Sequence, residues 1–136
     1  MYGKIVVPVD MGQLEKGGKI LARARELLAE GGQIVLMNVV EAVPTHVAIE
    51  LPVDFIDQSV KDAEEKLSAL DAQFAAGARR IVRIGAPVRE ILDVADKEGA
   101  DLIVIASHRP DFTNYLIGAT ADRVVRHAKC SVLIDR

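Results

Sequence analysis

Lys4-Ile5-Val6-Val7-Pro8-Val9-Asp10 is a run of branched apolar residues that closes on a proline and an acid. A strand with one wet face alternates apolar and polar residues, whereas a strand covered on both faces is apolar throughout. The run therefore reads as a buried strand of a parallel sheet. Outward from it, similar Val- and Ile-rich runs occupy residues 33–40, 80–84, 101–106 and 130–134. Segments with helical spacing lie between them. Leu14, Leu21, Ala24 and Leu28 mark the first, and Ile56, Val60, Ala63, Leu67, Leu70 and Phe74, stepping by four and three, mark the second. Val88, Ile91, Leu92 and Ala95 mark the third, and Ala121, Val124, Val125 and Ala128 the fourth. Strand and helix alternate four times before a closing strand. That order predicts an α/β fold, an open doubly wound five-stranded parallel sheet with helices on both faces.

The punctuation predicts where the helices stop and start. Gly31-Gly32, Gly77 and Gly99 are expected to end the first three with left-handed caps. Pro52 and Pro87 are expected in first helical turns, where a missing N–H costs nothing. Residues 41–51, with Pro44 among them, show no period and read as an irregular excursion over the sheet edge. With no linker, repeat or low-complexity tract, residues 1–136 are expected to form one domain.

A domain of 136 residues buries roughly two thirds of its unfolded surface, enough to stand without staples. Cys130 is the only cysteine, which excludes an internal disulfide framework and suits a reducing compartment. Seventeen basic against twenty acidic residues, with no dense run of either sign, argue against nucleic acid as a partner. No apolar stretch approaches the ~20 residues of a membrane span, and the first residues lack a signal-peptide pattern. The expected location is the cytoplasm, with no membrane contact.

In open parallel sheets, ligands bind beyond the carboxyl ends of the strands where strand order reverses. Two strand ends carry suitable chemistry. Asp10 follows the first strand, where a carboxylate can accept hydrogen bonds from a ribose or an adenine amino group, or can cap the next helix. The fourth strand runs into Ala106-Ser107-His108-Arg109-Pro110-Asp111 and on to Gly118-Ala119-Thr120. Small residues at a helix start let backbone N–H groups approach an anion, with His108 and Arg109 adding positive charge. A glycine at position 118 offers room for that approach and freedom for positive φ. The rival reading is an ordinary loop with a solvated arginine. Neither G-x-x-x-x-G-K-[ST] nor G-x-G-x-x-G is present. His46, His108 and His127 lack partners at metal-ligand spacing, and Ser107, Ser131 and Thr120 lack a visible base, so neither a metal site nor a catalytic residue is predicted.

Taken together, these segments resemble the universal stress protein family over essentially the whole chain. The opening strand is similar to the family's first strand, and Gly85-Ala86-Pro87-Val88-Arg89-Glu90-Ile91 resembles its G-x-P-x-x-E-I entry to the third helix. Asp101-Leu102-Ile103-Val104-Ile105 resembles its fourth strand, and Gly118 through Leu133 its closing helix and strand, including Val125-Arg126-His127-Ala128. The resemblance implies strand order 3-2-1-4-5. ATP-binding members carry G-x2-G-x9-G-[ST] after the fourth strand. The corresponding residues here are Ala106, Arg109, Gly118 and Ala119, so only Gly118 matches, and eight residues rather than nine separate it from Arg109. Thr120 follows Ala119, and the Ser-His-Arg-Pro-Asp run resembles a family branch with an altered loop.

The resemblance implies adenine contacts at Pro8, Asp10 and a backbone position near Val39. It implies phosphate contacts at Ser107, Arg109, Gly118, Ala119 and Thr120, with Val9, Ala106 and His108 as further nucleotide-binding candidates. The expected cofactor is ATP, with Mg2+ as its companion. The expected function is an adenine-nucleotide-binding stress-response or regulatory module acting through nucleotide-dependent conformation or partner binding. A slow ATP hydrolase and a nucleotide-free dimeric interaction protein are the alternatives. The last strand, apolar at Val132, Leu133 and Ile134, then lies at a sheet edge and is expected to pair in a homodimer, with a tetramer as an open extension.

Overall fold

The computed structural model describes residues 1–107 and 118–136. Strands β1 (Tyr2–Pro8), β2 (Leu28–Glu41), β3 (Arg79–Gly85), β4 (Leu102–Ala106) and β5 (Ser131–Asp135) form one parallel sheet. Their order is β3-β2-β1-β4-β5, as the resemblance implies. Helices α1 (Leu14–Leu27), α2 (Thr45–Ala48), α3 (Phe55–Phe74), α4 (Pro87–Glu98) and α5 (Ala119–His127) lie between them.

The unbroken apolar run of β1 has a direct cause. Successive side chains of a strand point to opposite faces. Ile5, Val7 and Val9 meet Ile20, Leu21 and Ala24 of α1 and Leu67 and Leu70 of α3 on one face. On the other, Val6 joins Val35, Met37 and Ile103 of the sheet with Ile91 and Val94 of α4 and Val124 of α5. Ile5, Val6 and Val7 are all fully buried, and each such side chain contributes ~1.5–3 kcal/mol of transfer free energy. The chain builds outward from β1 to β3, then returns to lay β4 on the other side of β1. The reversal therefore falls between β1 and β4, where a crevice opens beyond the strand ends.

Several boundaries differ from expectation. Helix α1 ends at Leu27, not at Gly31-Gly32, and Leu28 already belongs to β2. The pairing of β2 with β1 starts at Tyr2↔Leu28 and shifts register before Lys4↔Gln33, with Gly31 at φ 79° inside the irregularity. The glycines thus serve a bulge rather than a helix cap. Ala75, at φ 48°, takes the left-handed cap of α3, ahead of Gly77. Gly99 caps α4 at φ 67° as expected, and Pro87 holds its first turn. Pro52 precedes α3, its carbonyl accepting the Phe55 N–H at 3.1 Å. The excursion after β2 contains the single turn α2, which follows Pro44. Among the described residues, no helix is long and apolar enough to cross a membrane.

Candidate functional site

Strands β1 and β2 run paired only as far as Pro8 and Met37. The Val9 N–H still donates to the Met37 carbonyl at 2.8 Å, and then β1 turns away into a short 3-10 turn, Met11–Gln13. Asp10 shapes that departure, its Oδ1 accepting the Gly12 N–H at 2.8 Å. Strand β2 continues to Glu41, still paired with β3 on its other side. The backbone groups of alternate residues face alternate edges of a strand. Val39 therefore directs its N–H and C=O to the same edge as Met37, an edge that β1 has left. Asn38, buried, bridges the parting strands by donating from Nδ2 to the Val9 carbonyl at 2.8 Å.

The opening beyond these ends is a cleft of about 200 Å³. One wall is α1, pressed so close to β1 that a Cβ on Gly17 would stand 2.6 Å from Val9 Cγ1. This approach brings Gln13, Lys16 and Ile20 to the cleft. Lys16 Nζ donates to the Ser107 carbonyl at 3.0 Å, just past β4. Ser107 is buried, and its own N–H donates to the Asp135 carbonyl of β5 at 3.0 Å. The other wall is Pro87 and Ile91 of α4, with Thr120 from the first turn of α5. Gly118 is the buried N-cap of α5 and makes no side-chain cap. The first N–H groups of an α-helix have no partner within the helix and suit an anion.

The α4 wall is braced from β3. Arg83 donates to Glu90 Oε1 at 3.3 Å and to Asp93 Oδ2 at 3.0 Å. Gly85 sits at φ 154°, with a virtual Cβ only 3.0 Å from Glu90 Oε2, so a side chain there would push the brace apart. Hydrogen bonds from Lys97 and then Arg83 hold the Asp93 carboxyl below the usual carboxylate range. The spacing of Gly85, Pro87, Glu90 and Ile91 is thus architectural, setting the wall that Pro87 and Ile91 present. Cys130 is half-buried, and burial pushes its thiol up, away from thiolate reactivity.

The family model of the universal stress proteins matches residues 1–136. The chain belongs to the universal stress protein family. It is 32% identical to universal stress protein G of Shigella flexneri, covering 100% of both chains. Its fold matches a universal stress protein solved in complex with cAMP, with a TM-score of 0.63, 22% identity and coverage of 99% of this chain and 97% of that one. It also matches the universal stress protein from Archaeoglobus fulgidus in complex with dAMP, with a TM-score of 0.57, 20% identity and coverage of 99% and 98%.

Of the residues to which the family resemblance pointed, Pro8, Val9, Asp10, Val39, Ala106 and Thr120 come together around the cleft. Ser107 lies at its β4 end, occupied through its backbone. Gly118 is adjacent at φ −57°, backbone that any residue adopts, so positive φ is not its reason for being glycine. Ala119 is exposed and borders a neighbouring depression with Arg89 and Arg123. His108 and Arg109 lie outside the described residues. Asp10 caps the 3-10 turn and also lines the cleft. Gln13, Lys16, Asn38 and Glu41 also line it and were not anticipated. Gln13, Lys16 and Ile20 share one helix face by spacing, but spacing alone does not say which face meets the strand end.

Proposed function

We propose that this universal stress protein binds an adenine nucleotide, ATP foremost, in the cleft between the ends of β1, β2 and β4. It would act as a stress-response or regulatory module whose conformation or partner binding follows the nucleotide. The observation that carries this reading is the edge of β2 beyond Met37. There the Val39 backbone offers a donor and an acceptor side by side, the pair an adenine edge needs, with the Asp10 carboxylate one strand away for a ribose hydroxyl. The cleft volume is below the ~300–1,000 Å³ that encloses a drug-sized ligand, which fits a nucleoside with its phosphates extending toward α5. Two relatives solved with cAMP and dAMP support the choice of base. Mg2+ enters as the companion of the triphosphate, bound chiefly through phosphate oxygens.

The proposal includes a homodimer. β5 is an edge strand of the sheet, and pairing it with a two-fold mate would satisfy its outward backbone groups. It also includes a cytoplasmic location, supported by the single cysteine. Calorimetric titration with ATP tests the central claim, with saturable one-site binding expected and competition by adenosine. No saturable binding at millimolar ATP would refute it and favour the nucleotide-free interaction protein. Phosphate release at saturating ATP separates a binder from a slow hydrolase. A nucleotide carried through purification, identified by mass spectrometry, would name the ligand directly.

A further inference from the structure

We infer that Lys16 is the residue by which the cleft distinguishes a phosphorylated adenine nucleotide from the bare nucleoside. The inference rests on the reading of the cleft as an adenine-nucleotide site and adds a specificity determinant to it. Among the described residues lining the cleft, Lys16 is the only cation, facing two carboxylates, Asp10 and Glu41. A polyanion could not enter such a lining unless the charges were segregated, and they are. Glu41 stands at the end of β2, Asp10 at the end of β1, and the Lys16 ammonium at the end of β4, where it donates to the Ser107 carbonyl at 3.0 Å. From β2 to β4 is two strand spacings, about 10 Å. Across that distance the cleft passes from acidic to basic in the order base, sugar, phosphate.

The state of the ammonium supports the same role. Lys16 is half-buried, and among the described residues no carboxylate comes within ion-pair distance of it. Among the described residues its one hydrogen-bond partner is a neutral carbonyl, and an ammonium has three donors. Two donors therefore remain for phosphate oxygens while the first keeps the side chain aimed. The stem is held in place from below, because α1 is seated on β1 through the close approach of Gly17 to Val9. Thr120, in the first turn of α5, lines the same cleft and adds a neutral hydroxyl donor to it.

The test is calorimetric titration of ATP, AMP and adenosine into the native protein and into Lys16→Met and Lys16→Arg. Each variant's fold is checked by its thermal melting curve. Lys16→Met is expected to weaken ATP and AMP by about tenfold to a hundredfold and adenosine by less than about twofold. Lys16→Arg is expected to recover most of the nucleotide affinity, because it restores the charge. The salt dependence of ATP binding should fall in Lys16→Met. Equal losses for all three ligands, or no loss for any, would overturn the inference while leaving the adenine site standing. Failure of the native protein to bind any of the three would instead remove the site itself, and the inference with it.

Discussion

Replacing Gly17 with alanine tests whether the seat of α1 on β1 shapes the cleft. In a helix interior, Gly→Ala ordinarily stabilises by ~0.8–1 kcal/mol. Here the new methyl would lie 2.6 Å from Val9 Cγ1 and 3.4 Å from Cγ2. Val9 is almost fully buried, and a valine has one strongly preferred χ1 well, so it has little freedom to withdraw. Overpacking of this kind costs ~1–3 kcal/mol. The two effects leave a net loss of roughly 0–2 kcal/mol, or about 4 °C in Tm at the midpoint for a chain of this size. Gly18 supplies the control. Its virtual Cβ meets Phe74 Cζ at 2.9 Å and Cε2 at 3.0 Å, the far end of a half-buried ring that can turn aside. Gly18→Ala should therefore be near neutral. Thermal melting followed by far-UV circular dichroism gives the order native ≈ Gly18→Ala > Gly17→Ala. Because Lys16 and Gln13 ride on the same turns, Gly17→Ala should also weaken ATP binding. A Gly17→Ala protein melting above Gly18→Ala would refute the claim that α1 and β1 are in contact at their limit.

Asp10→Ala removes a turn cap worth ~1 kcal/mol and, on the proposed reading of the cleft, a charge-assisted contact to the nucleotide worth ~1.5–3 kcal/mol. Calorimetry should show ATP affinity falling by more than stability does; a collapse in Tm with unchanged affinity would leave Asp10 as a cap alone. The Asp101 carboxylate accepts the N–H groups of Gly3 and Lys4, each at 2.9 Å, and these bonds hold it below the usual carboxylate value. A lowered folded pKa contributes stability above the unfolded value of about 3.9, lost as pH falls through the folded one. The denaturation midpoint of Asp101→Ala should thus lie below native at pH 7, with the gap starting to narrow near about pH 4 and closing as pH falls through the lowered folded value; a gap that stays constant would rule this out. On β5, the Asp135 carbonyl faces β4 through its bond to Ser107, so Val132 and Ile134 present their backbones to the free edge. Val132→Pro removes one outward N–H without touching the β4 ladder and should leave the proposed homodimer a monomer in sedimentation at micromolar concentration. A native protein that sediments as a monomer would dismiss the dimer outright.

The central strands were legible because β1, β4 and the middle of β2 are buried on two faces, as Ile5, Val6 and Val7 show, while the edge strands β3 and β5, only partly buried, were legible from their Val- and Ile-rich composition. The end of α1 was not. Gly31-Gly32 carries the composition of a helix cap, yet the early pairing of Leu28 with Tyr2 draws the chain into β2 first and leaves the glycines to absorb a register shift. Ala75 in place of Gly77 is a similar case, in which local cost yields to the path the chain must take toward β3. At the site, Asp10, Val39 and Thr120 could be named by family resemblance. Asn38 and Lys16 could not, because their roles depend on how two strands part and which helix face looks back at them. A buried asparagine inside an apolar run is silent until the neighbouring strand is seen to leave.

That asparagine has a consequence for the shape of the protein. Where the ends of β1 and β2 diverge, the side chain of Asn38 reaches the Val9 carbonyl, so the gap there answers to the reach of one short amide. Glutamine, a methylene longer, would prop the ends wider. Aspartate would set an acceptor against an acceptor, and leucine would strand the Val9 carbonyl without a donor. Position 38 thus works with the Val9–Met37 backbone bond as a spacer between the two strand ends at the mouth of the cleft.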